Sequence, residues 1–246
     1  MSARARAVFV AGAGTEIGKT YATAALTRAL RRQGRSVSTL KPLASGVPSL
    51  GDPDFRFSDT AILLDAQGLA VTLANVEACS PWRFTAPLSP DLAAAREGRS
   101  LHLSDLVGWC EARLREASAK TGATSDPIVI IEGVGGLMSP ITPDATGLDW
   151  LKALALPTLL VSGSYLGAIS HALTAAETLR LHGQTLLGIV VCESLGAPTS
   201  PETVADAIAR HVPAPVLCIA RDGECPDALA RLVYGIVPET VSGTMP

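Results

Sequence analysis

The sequence predicts a doubly wound α/β fold in which a mostly parallel sheet is flanked by helices. Short apolar runs typical of strands alternate with stretches of helical period along most of the 246 residues. The run PIVII at residues 127–131 is apolar without interruption, as expected for a parallel strand buried on both faces. Because no repeat or low-complexity linker divides the chain, we expect residues 1–246 to form a single domain.

The stretch AVFVAGAGTEIGKT at residues 7–20 predicts a phosphate-binding loop between a strand and a helix. A sharp turn from strand to helix leaves backbone N–H groups free to bind an anion. Three glycines let the backbone approach that anion without a Cβ atom in the way: Gly12, Gly14 and Gly18. Lys19 would supply a charge to the phosphates, and the Thr20 hydroxyl is the expected Mg²⁺ ligand. The strict P-loop pattern would have its first glycine at the position of Ala13. In this chain the first glycine is Gly12, one position earlier.

Apolar periodicity and capping residues predict the other elements. The predicted strands cover residues 36–40, 127–131, 158–162, 187–192 and 215–219. Three predicted helices cover residues 21–33, 169–181 and 201–210. A fourth covers residues 106–120 and is capped by Ser104, and a fifth begins after a cap at Ser58 and ends at residue 64. A further short helix ends at residues 97–98. Residues 48–56 predict a loop and residues 81–90 a stiff proline-rich segment, whereas residues 67–78 are ambiguous.

Composition excludes several classes of function. The net charge is −3 and there is no basic block, so a nucleic acid partner is not expected. No stretch approaches the roughly 18 apolar residues that would cross a bilayer, so no membrane association is expected either. The five cysteines form no C-x-x-C pair, and this indicates a reduced, cytoplasmic protein.

Two carboxylates fall where they could complete a Mg²⁺ site with Thr20. Glu132 follows the buried strand, and ligands of open α/β sheets bind at the carboxyl ends of strands. Asp59 falls in the first turn of the helix capped by Ser58. Two acids and a hydroxyl are a reasonable Mg²⁺ set when phosphate oxygens and waters complete it. The alternatives are a structural cap for Glu132 and, for Asp59, an ordinary acid stabilised by the helix dipole.

Lysine is rare in this chain, which otherwise uses arginine. Of the twenty basic residues, four are lysine: Lys19, Lys41, Lys120 and Lys152. Two of them, Lys19 and Lys41, fall in predicted loops that follow strands. This suggests that a compact ammonium is needed there, as in phosphoryl transfer, where catalysis consists mainly of positioning and charge neutralisation. A solvated surface lysine is the alternative for Lys41.

Six segments together resemble dethiobiotin synthetase. They are GAGTEIGKT at 12–20, KPLASG at 41–46, the pair at 58–59, FTAPLSP at 84–90, EGVGGLMSP at 132–140 and LGAISH at 166–171. The set spans most of the chain and is far more specific than the loop alone. The resemblance implies a homodimeric, Mg²⁺- and ATP-dependent cyclo-ligase of the P-loop class. It forms dethiobiotin, in biotin biosynthesis, from 7,8-diaminononanoate and CO₂ through a carbamate and a carbamic-phosphoric anhydride.

The resemblance also implies a role for each matching residue. The catalytic positions are Thr15, Lys19, Lys41 and Ser45. The ATP-binding positions are Gly12, Gly14, Thr15, Glu16, Ile17, Gly18, Lys19, Thr20, Glu132, Gly133, Gly135, Gly136 and Cys192, with the role of Glu16 left open. The metal positions are Thr20, Asp59 and Glu132. The substrate positions are Lys41 and Ser45, together with Leu166, Gly167 and Ser170 offered by the partner subunit to the substrate carboxylate.

The chain departs from the family pattern at two places. Cys192 and Glu193 stand where the family often has Asn-Asp for adenine recognition, and a thiol cannot replace the paired donor and acceptor of an amide. We therefore expect a looser choice of nucleotide base. Tyr165 and Ser170 stand where some members have Lys and Asn, so the carboxylate contacts are expected to differ in detail.

Three other functions share parts of this pattern. A partitioning or positioning ATPase, which acts as a nucleotide switch, resembles KGGxGKT and has an extra lysine where this chain reads AGAG at residues 11–14. An amidoligase like cobyrinic acid diamide synthase would need a glutaminase domain, for which this chain has no room. A catalytically silent binding module would not need two lysines, a threonine and two acids together.

Overall fold

A parallel six-stranded sheet forms the centre of the computed structural model, which describes residues 6–119 and 127–235. The strands in this part of the chain are β1 Arg6–Gly12, β2 Val37–Leu40, β3 Leu43–Ala44, β4 Trp82–Arg83, β5 Ile128–Glu132, β6 Pro140–Thr142, β7 Ala145–Thr146, β8 Thr158–Gly163, β9 Leu186–Cys192 and β10 Val216–Ile219. The order in the main sheet is β2-β5-β1-β8-β9-β10, and every neighbouring pair is parallel. The predicted doubly wound α/β fold is confirmed.

Helices cover both faces of this sheet. They are α1 Lys19–Arg32, α2 Asp59–Ala66, α3 Leu73–Cys79, α4 Pro90–Arg96, α5 Leu103–Ala119, α6 Gly147–Leu154, α7 Ala168–Leu181, α8 Pro201–Ala209 and α9 Asp227–Tyr234. Alternate side chains of β1 enter two separate cores, as the period of two in a strand requires. Val8 and Val10 pack with apolar residues of α1 and α9, whereas Phe9 packs with those of α5 to α8 and meets Trp150 edge to face at 5.0 Å.

The strand order places a crevice at the carboxyl end of β1. The chain runs from β1 to β2 on one side of the sheet, and from β5 it crosses to β8 on the other side. Ligands of doubly wound folds bind where the order reverses in this way. Among the described residues, no helix is long and apolar enough to cross a membrane.

Most predicted boundaries hold within one or two residues, and the differences have local causes. Ser58 caps α2 as predicted, and its side chain accepts a hydrogen bond from the Ala61 N–H at 3.2 Å. The predicted cap at Ser104 is wrong because α5 begins at Leu103, after the carbonyl of His102 has accepted the first helical hydrogen bonds. Lys120, the predicted end of this helix, lies outside the described residues.

Some elements escaped prediction from the sequence. The ambiguous residues 67–78 contain most of α3, which Thr72 caps by accepting from the Asn75 N–H. The last helix, α9, and the two-residue strands were not predicted. One of the short pairs is important for the site because β3 and β4 bring the segments that follow them side by side, with Gly46 N–H donating to the Ala86 carbonyl at 3.0 Å.

Candidate active site

The glycine-rich loop is shaped by steric limits at its two ends. A Cβ atom on Gly12 would lie 2.8 Å from Cδ of Lys19 and 2.9 Å from the carbonyl oxygen of Gly135, both too close for real atoms. Gly18 precedes α1 with a φ of 91°, a left-handed conformation that glycine adopts without strain. The displaced first glycine therefore occupies a position that other residues cannot fill without moving their neighbours.

Lys19 curls back over this loop. Its ammonium donates to the carbonyl of Gly14 at 3.0 Å, and the residue is only 7% exposed. Burial and the nearby Lys41 ammonium lower the pKa of Lys19 to about 8, while the Glu132 and Asp59 carboxylates oppose this change. A phosphate would bring negative charge to a lysine that lacks a salt-bridge partner within the described chain.

Lys41 is the more enclosed of the two lysines of the site. Its ammonium lies 2.6 Å from Oε1 of Glu132, 2.9 Å from the carbonyl oxygen of Gly133 and 3.0 Å from Oδ2 of Asp59. Burial acts to lower the pKa of Lys41, but the two carboxylates outweigh it and hold the pKa above its ordinary value. The surface-lysine alternative is wrong, since Lys41 is 2% exposed.

Glu132 connects the loop to Lys41. Thr20 Oγ1 donates to Oε1 of Glu132 at 2.7 Å, the same oxygen that Lys41 contacts. The other oxygen, Oε2, is buried and has no hydrogen-bond partner in the described part of the chain. A buried carboxylate oxygen without a partner is costly unless a cation or donor completes its surroundings.

Thr20, Asp59 and Glu132 supply the oxygen donors that Mg²⁺ prefers. The Lys41 ammonium lowers the pKa of the Asp59 carboxyl against the effect of burial, so this group is ionised. Within residues 6–119 and 127–235, no group of three or more His, Cys, Asp or Glu side chains could hold a metal by itself. A Mg²⁺ ion at these donors would therefore need the Thr20 hydroxyl, phosphate oxygens and water to complete its shell.

A cleft of about 690 Å³ opens over these groups. Ten of the predicted site residues line it: Thr15, Glu16, Ile17, Gly18, Lys19, Thr20, Lys41, Ser45, Asp59 and Gly135. Four predicted glycines lie behind this lining, within the turns that meet the loop: Gly12, Gly14, Gly133 and Gly136. Residues 87–90 and Ser139 also line the cleft. They were not predicted as site residues, although both lie in segments that carry the family resemblance.

A second cavity of about 560 Å³ adjoins the loop at residues 15–18 and extends to Cys192. Cys192 is 3% exposed, and its thiol contacts the Gly18 carbonyl at 3.6 Å. The opposite wall is the loop after β10, where the Tyr21 hydroxyl donates to the Gly223 carbonyl at 2.8 Å. Glu193 accepts a hydrogen bond from the Arg221 N–H at 2.8 Å. No pattern in the sequence marked the loop after β10, because its contacts with Tyr21 and Glu193 join residues that are distant in sequence.

The remaining predicted residues lie away from the cleft. Gly167 caps α7 with a φ of 98°, Leu166 is 88% exposed, and Ser170 is exposed on the first turn of the helix. None of the three lines either cavity near the loop. Just before them, the Tyr165 hydroxyl forms a hydrogen bond of 2.7 Å with Nδ1 of His171.

Comparisons with known proteins identify the family of this chain. Residues 6–221 match a family model described as an AAA domain. The ATP-dependent dethiobiotin synthetase BioD of Methylobacterium nodulans is 67% identical over 89% of this chain and 95% of its own length. The protein of the same name from a Caulobacter species is 41% identical over 97% of this chain and 99% of its own length.

A solved structure supports the fold independently. The MinC:MinD cell division protein complex of Aquifex aeolicus has a TM-score of 0.50 at 14% identity, over 98% of this chain and 99% of that chain, and it shows the fold alone. The two dethiobiotin synthetases align over 89% and 97% of this chain. The chain belongs to the dethiobiotin synthetase family.

Proposed function

We propose that this protein forms dethiobiotin from 7,8-diaminononanoate, CO₂ and ATP, as an ATP-dependent cyclo-ligase of biotin biosynthesis. Membership of the dethiobiotin synthetase family supports the overall reaction. The observation that carries the mechanism is the convergence of two lysines, a threonine and two carboxylates at one cleft at the carboxyl edge of the sheet.

The loop and the start of α1 bind the ATP phosphates. Backbone N–H groups at a helix N-terminus attract anions, and the glycines leave them accessible. Lys19 lies at this position with only the Gly14 carbonyl as hydrogen-bond acceptor among the described residues, so a phosphate oxygen can recruit its ammonium. The base lies in the adjoining cavity between Cys192 and the loop after β10.

The chemistry needs little covalent work from the protein. One amine of the diamine attacks CO₂ and loses a proton, giving a carbamate. A carbamate oxygen then attacks the γ-phosphorus, and ADP leaves. The second amine attacks the carbonyl carbon of the mixed anhydride, closing the ring as phosphate leaves. Each step develops negative charge on oxygen atoms, so the enzyme contributes mainly cations and donors placed in advance.

Lys41 and Ser45 serve the carbamate end of this reaction, and Thr15 and Lys19 serve the γ-phosphate. Lys41 is ionised and held by three acceptors before any ligand binds, so its position is preorganised. Ser45 is half-buried, lines the same cleft and can donate a hydrogen bond to a carboxylate oxygen.

Mg²⁺ is the metal that fits the donors of Thr20, Asp59 and Glu132. When bound, it would neutralise charge on the β- and γ-phosphates. The unpartnered Oε2 atom of Glu132 supports this assignment, because a buried carboxylate oxygen is otherwise left without a partner among the described residues. Asp59, which is 42% exposed, remains accessible from the cleft.

The substrate carboxylate is held at the N-terminus of α7 of a partner subunit, so the active enzyme is a homodimer. Apolar side chains are exposed around this helix start, including Met138 at 56% and Leu166 at 88%. Sedimentation equilibrium tests the assignment. Leu166→Asp is expected to give monomers, whereas Leu181→Asp, at the far end of α7 where Leu181 is 68% exposed, should leave the association unchanged. If the wild-type protein is a monomer in this experiment, the homodimer assignment is wrong.

We place the enzyme in the cytoplasm. All five cysteines are free thiols: Cys79, Cys110, Cys192, Cys218 and Cys225. Disulfides form in oxidising compartments, so free and mostly buried thiols are consistent with a reducing one. Fractionation of cells that produce the native chain tests this assignment, and recovery of the protein outside the cytoplasmic fraction would contradict it.

The decisive experiment measures phosphate release with Mg²⁺, ATP and bicarbonate, with and without 7,8-diaminononanoate. We expect release to depend on the diamine and dethiobiotin to accumulate in equal amount, as mass spectrometry can establish. Phosphate release that is independent of the diamine would instead favour a nucleotide switch, the alternative that shares this fold with MinD. Release that depends on ammonia or glutamine would favour an amidoligase.

A further inference from the structure

A chain of buried hydroxyl groups joins α2 to the main chain of Lys41. Thr60 Oγ1 donates to Ser80 Oγ at 2.9 Å, and Ser80 Oγ donates in turn to the Lys41 carbonyl. Thr60 and Ser80 are fully buried, at 0% exposure. The Lys41 N–H also donates to the Cys79 carbonyl at 3.0 Å, so residues 79–80 hold both main-chain polar groups of Lys41.

These contacts form a closed ring with the catalytic groups. Thr60 directly follows Asp59 in α2, and Asp59 contacts the Lys41 ammonium at 3.0 Å. The ring therefore runs from the Lys41 side chain to Asp59, through Thr60 and Ser80, and back to the Lys41 main chain. It fixes the lysine at both ends, although Ser80 itself does not line the cleft.

Polar groups without access to water need hydrogen-bond partners, and the two buried hydroxyls each have an acceptor. Thr60 has its acceptor in Ser80, and Ser80 has its acceptor in Lys41. Loss of the Ser80 hydroxyl would leave the Lys41 carbonyl and the Thr60 hydroxyl without this partner in a water-free interior. Loss of the Thr60 hydroxyl would leave Ser80 its acceptor but remove the donor that orients it, so in either case the main chain at Lys41 can shift. Movement of Lys41 would matter because displacement of a catalytic group by about 1 Å can lower a rate about a hundredfold.

We propose that Ser80 and Thr60 are positioning residues for the ligase reaction, which act by fixing Lys41 relative to Asp59 and Glu132. This inference rests on the proposed function, in which Lys41 serves the carbamate end of the reaction. It goes beyond that function because neither hydroxyl contacts the cleft. The two hydroxyls connect α2, which carries Asp59, to the main chain of Lys41.

The chain offers a matched control. Thr27 and Thr39 form another fully buried hydroxyl pair, 2.8 Å apart, and Thr39 lies on β2 two residues before Lys41. Thr27→Val removes a hydroxyl of the same kind from the same region. It leaves the contacts of Lys41, Thr60 and Ser80 in place, so it reports what a buried hydroxyl contributes to stability alone.

The test compares Ser80→Ala, Thr60→Val, Thr60→Ser and Thr27→Val with the wild type. For each, kcat and the KM for the diamine come from phosphate release, the Kd for ATP from calorimetry and Tm from thermal unfolding. We expect Ser80→Ala and Thr60→Val to lower kcat by about tenfold or more with the Kd for ATP changed less than about twofold. Thr60→Ser should restore kcat to within about threefold of the wild type, because it keeps the donor.

Thr27→Val is expected to lower Tm as much as the other variants while kcat stays at the wild-type value. The proposal is overturned if Thr60→Val and Ser80→Ala turn over like the wild type, or if Thr27→Val lowers kcat by the same factor. Should Ser80→Ala fail to fold, the comparison of Thr60→Val with Thr60→Ser decides. Absence of diamine-dependent turnover in the wild type would instead refute the proposed function, so the two failures are distinguishable.

Discussion

The ammonium of Lys41 lies 2.6 Å from Oε1 of Glu132, and neither side chain is more than 2% exposed. The pairing of two parallel strands produces this contact. Leu40 of β2 lies opposite Ile131 of β5, so the residues that follow them leave the sheet side by side. Strand β5 lies between β2 and the central strand β1, which ends at the glycine loop. The phosphate site therefore lies at the same edge of the sheet.

The first prediction concerns Lys41→Gln. We expect kcat to fall by about 10² or more while the Kd for ATP stays within a few-fold, because the lost group acts on developing charge. The free energy of unfolding should also fall by about 3 kcal/mol, as for a broken buried ion pair. Lys152→Gln is the control, since Lys152 is 43% exposed and 3.6 Å from Asp149. Wild-type turnover in Lys41→Gln would remove this lysine from the mechanism.

The second prediction separates a metal ligand from an ordinary helix acid. Asp59→Asn should raise the Mg²⁺ concentration needed for half-maximal turnover by about tenfold or more, because an amide is a weaker ligand for a hard cation. Asp65→Asn changes the same residue type on the same helix, but Asp65 is 76% exposed and pairs with Arg28. Mg²⁺ titrations of the two variants check the prediction, and equal midpoints would assign Asp59 the dipole role instead.

The fold and the loop could be predicted because their signals are local. Buried parallel strands are apolar throughout, and the loop before α1 is marked by its closely spaced glycines and by the adjacent Lys19 and Thr20. Lys41 and Glu132 were predicted as strand-end residues by the same logic. Their direct contact was not, because strand register depends on pairing between segments about ninety residues apart.

The parts that escaped prediction depend on long-range contacts. Ser80 gives no signal in the sequence, since a serine at the end of a helix is common and its acceptor lies 39 residues away. The helix α5 was predicted to begin at Leu106 after a cap at Ser104, a good capping residue, but it begins at Leu103, three residues before the predicted start. Packing overrides local capping preference in such cases. The single domain over residues 1–246 stays a prediction.

The third prediction concerns the nucleotide base. Cys192 is buried against Gly18, and its thiol cannot give the paired donor and acceptor of an amide. Sites that read a substrate through dedicated hydrogen bonds discriminate by about 10⁴ or more. We expect kcat/KM for GTP and CTP to lie within about tenfold of that for ATP, because no such side-chain amide stands at this position. A preference for ATP of about 10³, measured in the same diamine-dependent assay, would contradict this.

The last prediction tests whether the displaced glycine of the loop is a steric requirement. Gly12→Ala would put a Cβ atom within 2.9 Å of two carbonyl oxygens and 2.8 Å of Lys19, and main-chain atoms cannot easily move away. We expect this variant to lose about 1–3 kcal/mol of unfolding free energy through overpacking. Gly108→Ala should instead gain about 0.5–1 kcal/mol, because Gly108 lies inside α5 and a Cβ there meets nothing within 4 Å. Urea unfolding without nucleotide measures both changes, and equal stability of the two variants would mean that the loop tolerates a side chain at Gly12.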